Sequence, residues 1–357
     1  MKKNRFLFFT VTVLICIQVI AYSRENEQVV TPTVFMNGAA PSLTVGHGII
    51  HMAFASSDSI FYAFSSNKGK SFSVPVLVTV LPKLGKVGGR GPQIVNVKGG
   101  LLIAAADHTG NIYTYIKKNT AEKWEKTGKI NDVPDIAKEA FVSLASNTQG
   151  EIYAVWLDLR DDRKNKIVGA KSSDGGKSWS KNKIIYQSPD STVCECCKPS
   201  VAIKGNLVAV MFRNWLNGNR DLHLIQSTDG GRNFGQVQKL GEGSWKLNGC
   251  PMDGGGLVIQ KTNTVQTVWR RQGNIYLCEA GKKEELLTSG RQCVITGADA
   301  NTFIAYVNEG KIYCRLPGGH QVILGNGAIP RLTSINTNSA VCMWENNGKL
   351  YHTVLAK

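Results

Sequence analysis

Apolar residues in this chain fall in short runs, such as IHMAFAS, LLIAAAD, IYAVWLD and LVAVMFR, rich in Val, Ile, Tyr and Trp and broken by Gly, Asn, Asp or Ser. That pattern predicts strands and leaves no room for long helices, so the fold class is all-β. The runs also repeat. Each ends in a polar residue, at Ser56, Asp107, Asp158, Arg213, Arg271, Asn308 and Asn346, at intervals of 51, 51, 55, 58, 37 and 38 residues. Ahead of each lies another short strand, opening at Pro41, Pro92, Phe141, Pro199, Pro251, Cys293 and Pro330. A small sheet cannot bury both faces unless its neighbours stack around an axis. The repeat therefore predicts one β-propeller domain over residues 24–357, with seven blades. The last unit stops after its third strand, and Val29 to Phe35 is expected to supply the missing outer strand.

Three segments share one turn: Ser65 to Phe72, Ser172 to Trp179 and Ser227 to Phe234, each reading Ser-x-Asp/Asn-x-Gly-x-Ser/Asn-aromatic. Asp or Asn bonds the turn backbone, Gly takes a conformation that a Cβ disfavours, and the aromatic plugs between strands. These segments resemble the Asp boxes, or BNR repeats, of the sialidase superfamily. The resemblance implies structural turns on the outside of propeller blades, with the six-bladed sialidase form as the alternative to seven.

The polar ends of the second strands occupy equivalent places around the ring, and Arg90, Glu139, Cys197, Cys250 and Arg331 lie near the openings of first strands. Charges of both signs converging on one funnel nominate a site, structural ion pairs being the other reading. Sialidases grip a substrate carboxylate with an arginine triad and use a Tyr activated by Glu as nucleophile and an Asp as general acid/base. Guanidinium forks suit that carboxylate because they bind it bidentately. By that resemblance Arg213, Arg271 and Arg331 form the clamp with Arg90 as a fourth member, Asp107 or Asp158 is the acid, and Tyr306 with Glu345 is the nucleophile pair. Where the family has Phe/Tyr-Arg-Ile-Pro, the first unit reads Gly38-Ala39-Ala40-Pro41, and Arg90-Gly91-Pro92 in the second unit is its echo. An enzyme of this kind would be a glycoside hydrolase of exo-sialidase type.

A second concentration of chemistry is Cys194-Glu195-Cys196-Cys197-Lys198-Pro199, followed by Gly249-Cys250-Pro251-Met252, with Arg213, Asn214, Arg220, Asp221 and Trp245 also nearby in the repeat. The combination is similar to motifs of exported, sialidase-like BNR-repeat proteins. Two readings stand side by side. One is disulfides fixing long loops, such as Cys197 or Cys194 to Cys250. The other is a soft-metal site in which Cys194, Cys196, Cys197 and Cys250, with Met252, bind copper or zinc. Cys278, Cys293, Cys314 and Cys342 fall in strands, as small apolar core residues or one further disulfide.

Residues 1–23 carry Lys2, Lys3 and Arg5, then an apolar stretch, then Ala21-Tyr22-Ser23, which reads as a secretory signal peptide. Its removal takes the formal net charge from +16 to +13, still strongly basic, with lysines spread along the chain instead of grouped in a block. Export to the periplasm or the extracellular space excludes nucleic acid as partner, and no later stretch is apolar and long enough to span a membrane. The combined expectation is an exported propeller whose funnel recognises an acidic glycan or other anionic, carboxylate-bearing ligand without a cofactor. A metal-binding or redox propeller and a non-catalytic interaction module are the alternatives.

Overall fold

The computed structural model describes residues 28–357; the expected signal peptide lies outside them. The described residues form seven sheets, five of which follow chain order within one unit. Blades 1 to 6 cover 39–80, 93–129, 142–186, 200–239, 256–289 and 291–326. Blade 7 takes three strands from 328–356 and its outer strand, Thr33–Asn37, from the start of the described chain. The innermost strands, Ala39–Gly46, Gln93–Val97, Val142–Ser146, Ser200–Lys204, Gly256–Ile259, Arg291–Thr296 and Ala328–Asn336, each contact the next, the last returning to the first. The ring is a seven-bladed propeller.

Closure differs in one detail from the strand expected over Val29 to Phe35. Only its second half pairs with blade 7; Gln28–Val29 runs parallel to the outer strand of blade 6. Pro32, which has no N–H to donate, separates the two pairings. The entering chain thereby laces two blades together.

One apolar cluster lies between each adjacent pair of blades: Leu102, Ala104 and Trp156 between blades 2 and 3, Val155, Val210 and Phe212 between 3 and 4, and so on round to Phe54 and Met343 between 1 and 7. This explains why second strands such as LLIAAA and IYAVWL are apolar throughout instead of alternating. Gly100–Ala106 and Ile152–Asp158 are buried at every position, since both faces meet a neighbouring blade. Large aromatics two residues before the polar strand ends, Trp156, Trp269 and Trp344, fill the wedge between blades.

The three Asp boxes connect third to fourth strands, at the end of the ring where first strands finish. In the box of blade 3, Ser172 Oγ accepts from Gly176 N (2.8 Å) and Asp174 accepts from Ser178 N (3.0 Å) and Ser178 Oγ (2.6 Å). Gly176 has φ +89°, and a Cβ there would overlap the Leu102 side chain of the preceding blade. The box aromatics likewise reach back one blade: Phe72 meets Phe35 (5.7 Å between centroids) and Phe234 meets Tyr153 (5.9 Å). The boxes are thus interblade fasteners, structural as expected and remote from the opposite mouth.

Candidate functional site

First strands start, and second strands end, at the same face of the ring, because the two are antiparallel. A cavity of about 250 Å³ opens there on the axis. Its walls come from the residues just before and at the openings of inner strands, among them Gly89, Gln93, Lys198, Asp253, Gln292 and Arg331.

The polar ends of the second strands do not enter it. Asp107 Oδ1 accepts from Thr109 N, Gly110 N and Asn111 N, each at 3.0 Å, and so shapes its own turn. Asp158 is fully buried and accepts from Trp156 Nε1 (2.9 Å) and from Arg160 Nε (2.8 Å). Arg213, 1% exposed, donates to the carbonyls of Asp253 (3.1 and 3.0 Å), Arg220 (2.7 Å) and Arg270 (2.8 Å). Arg271 pairs with Glu284 at 2.6 Å and lies over the Tyr276 ring (4.2 Å). Tyr306 donates to Gln321 and stacks on Tyr313 within the packing between blades 5 and 6. Glu345, in blade 7, accepts from Ala40 N at 2.7 Å. The expected arginine clamp is therefore not assembled: of its four members only Arg331 lines the cavity, and Arg90 stands at the rim. Arg90 donates to Glu139 O (2.6 Å) and Val87 O (3.2 Å) over the Phe141 ring.

What does line the cavity is a different set. Lys198 Nζ donates to Gln93 Oε1 at 2.6 Å. Burial, together with the neighbouring Arg331 guanidinium, holds its ammonium well below the usual lysine range. Arg331 makes only long bonds, to Pro330 O (3.3 Å) and Gly89 O (3.4 Å), and burial lowers it too, against the pull of Glu345. Burial pushes the Glu345 carboxyl up, countered by Ala40 N and Arg331. Asp253 is buried; its Oδ2 accepts from Gln292 N (2.7 Å), and burial raises its carboxyl despite Arg213 nearby. The glycine run 254–256 brings this wall close: a Cβ on Gly254 would overlap the Lys198 carbonyl. Lys198 and Asp253 escaped the sequence reading, although Lys198 sits inside one of the cysteine motifs that it singled out and Asp253 directly follows the other.

The cysteines border the same mouth. Residues 194–197 turn so that the sulfurs of Cys194, Cys196 and Cys197 lie within 4.8 Å of one another, all buried. Cys196 forms a disulfide with Cys250, whereas Cys194 and Cys197 are thiols. The pairing expected through Cys194 or Cys197 thus goes through Cys196, and in this state two of the four candidate soft-metal ligands are tied to each other. Cys194 Sγ is 3.6 Å from both Cys196 Sγ and Cys197 Sγ, and 3.0 Å from Arg220 Nη1. The Cys197 hydrogen bond and the Arg220 charge bring the Cys194 thiol down to about 7 against the effect of burial. Burial pushes Cys197 well up. The four remaining cysteines among the described residues, Cys278, Cys293, Cys314 and Cys342, are buried thiols in strands.

The model of the BNR repeat-like domain family matches residues 43–248, more than half of the chain. The chain belongs to the BNR repeat-like family. No curated protein is a significant match. Among solved structures, this BNR repeat-like chain is similar to an ulvan lyase of polysaccharide lyase family PL25, solved bound to -[GlcA(1-4)Rha3S]-, at 10% identity over 91% of this chain and 96% of that one, with a TM-score of 0.62. It is also similar to an α-L-arabinanase of Penicillium chrysogenum complexed with arabinobiose, at 13% identity, 92% and 98% coverage and TM-score 0.54. The Hadza microbial sialidase Hz136 matches at 13% identity over 90% of this chain and 66% of that one, with TM-score 0.53. At such identities the likeness establishes the propeller fold shared by this BNR repeat-like protein and its neighbours.

Proposed function

We propose that the protein recognises an anionic, carboxylate-bearing glycan in the axial cavity. The observation that carries this reading is the pair of basic side chains, Lys198 and Arg331, facing one cavity, with the Lys198 ammonium held well below the usual lysine range by burial and by its neighbour. Two cations in a poorly solvated space repel, and a carboxylate between them relieves both. Arg331 has the planar fork for such a ligand and only long bonds to give up. Gln93 and Gln292 offer neutral partners for sugar hydroxyls at the same wall. Propellers of the same architecture that take an acidic disaccharide unit or bear the name sialidase lend this reading support by analogy.

Hydrolysis belongs to the same reading as a second step. A general acid must hold its proton near neutral pH. Asp253 in the cavity wall, and Glu345 beside Arg331, are the carboxyls that burial shifts that way. Export, expected from residues 1–23, accords with a disulfide at the mouth.

The test is a binding panel of sialylated, uronate-bearing and neutral oligosaccharides, followed by a reducing-end assay on whichever bind. The account expects acidic glycans to bind and Lys198→Met to weaken them about tenfold or more. Equal binding of neutral glycans, or acidic binding untouched by Lys198→Met, would overturn it.

A further inference from the structure

Independently of any glycan, we propose that Cys194 and the Cys196–Cys250 disulfide form a thiol–disulfide exchange site that delivers a reactive thiol to the protein surface at Cys250. Three observations carry it. The Cys194 sulfur is 3.6 Å from the Cys196 sulfur, close to van der Waals contact and within reach of attack. Arg220, 4% exposed and stacked over Trp215 at 4.4 Å, holds Nη1 at 3.0 Å from the same sulfur, where it favours the thiolate that such attack requires. Cys197 lies on the other side, its sulfur 3.6 Å from Cys194 Sγ and accepting from Asp253 N at 3.4 Å.

The step balances within the chain. The Cys194 thiolate attacks Cys196 Sγ, the Cys194–Cys196 bond forms as the Cys196–Cys250 bond breaks, and Cys250 leaves as a thiolate that takes a proton from water. Nothing is oxidised or reduced overall, so no outside reagent is needed. The direction of departure follows from exposure. Cys194, Cys196 and Cys197 are buried, whereas Cys250 is exposed in the loop before Pro251, where water solvates the leaving sulfur. That loop continues into Met252 and Asp253 of the cavity wall, so exchange unties one border of the axial cavity. The released thiolate is then available to a disulfide on a partner, which it would attack to form a mixed disulfide and expel the partner's other sulfur.

The experiment is to incubate native, non-reduced protein with iodoacetamide and map alkylated and linked cysteines by peptide mass. The expected result is progressive alkylation of Cys250 with appearance of a Cys194–Cys196 link, at least about tenfold faster than in Cys194→Ser. The link is read on the unaltered protein, so the test survives if the variant folds poorly. Alkylation of Cys194 itself with the Cys196–Cys250 bond intact would overturn the proposal. So would purified protein in which all four cysteines are thiols holding about one equivalent of copper or zinc, since the cluster would then be a metal centre.

Discussion

Arg213 offers the sharpest test of how the site is built, because the resemblance to sialidases assigns it to a substrate clamp while its contacts make it a strut. Its guanidinium is 1% exposed and supplies the carbonyls of Asp253, Arg220 and Arg270, which join blade 4 to the loop before blade 5 and to that blade's second strand. Arg213→Met fills similar volume but leaves three buried acceptors without donors. Each orphaned acceptor costs roughly 1–3 kcal/mol. Partial relaxation and water entry hold the sum to about 3–5 kcal/mol, the usual range for breaking a buried charged network. Arg213→Lys should recover only part of this, since an ammonium cannot span the fork. The assay is urea unfolding followed by tryptophan fluorescence, with Arg331→Met alongside. Arg331 has long bonds and is lowered by burial, so its replacement should change stability by less than about 1 kcal/mol. An Arg213→Met variant within 1 kcal/mol of the parent, or one of normal stability that has lost acidic-glycan binding, would refute the strut and restore the clamp.

Three further outcomes follow from the same structure. Gly176→Ala should cost about 2–4 kcal/mol, combining a left-handed backbone with overlap onto Leu102, whereas Gly48→Ala, at φ +76° with nothing within 4 Å, should cost only the backbone part, about 1–2 kcal/mol; calorimetric unfolding of both separates the two terms. His51 is held down to about 4 by burial and by Lys117 and His47, and burial lowers His223 and His352 as well. The unfolded chain therefore binds more protons below pH 6.5, so unfolding free energy should fall as pH drops from about 6.5 to 4, and His51→Gln should flatten that slope; a slope unchanged in the variant would contradict the assignment. Reducing the Cys196–Cys250 bond, which closes a 54-residue separation, should lower stability by about 2–4 kcal/mol in the same urea assay.

The fold was legible because a propeller repeats its grammar. Each second strand lies between two blades, so its run is mostly apolar and ends at the same polar step, and the Ser-x-Asp-x-Gly turn has a backbone logic visible in single residues. The site was less legible for a physical reason. Polar residues at the ends of second strands, Asp107, Asp158 and Arg213, are where the chain turns at the rim, and they are consumed by their own turns and by neighbouring carbonyls. The axial cavity is lined one strand further in, by Lys198, Asp253 and Gln292, whose signal was only their place just before or at an inner-strand opening. The same rule had placed Arg331, Cys197 and Cys250 near first-strand openings, and of these Arg331 lines the cavity, as does Cys196. It did not say which sulfurs pair, since Cys194, Cys196 and Cys197 differ by one or two residues and the choice depends on the turn.

The measurement that bears most directly on the central claim is proton uptake on binding of an acidic oligosaccharide, obtained by titration calorimetry in two buffers of different ionisation enthalpy. Burial and Arg331 depress the Lys198 ammonium in the free protein, and a carboxylate seated between the two cations raises it. Across a pH series below the usual lysine range, the account predicts net proton uptake in the parent, where the free ammonium is depressed, and none in Lys198→Met. Binding without proton uptake, or the same uptake in both proteins, would place the ligand elsewhere and contradict it.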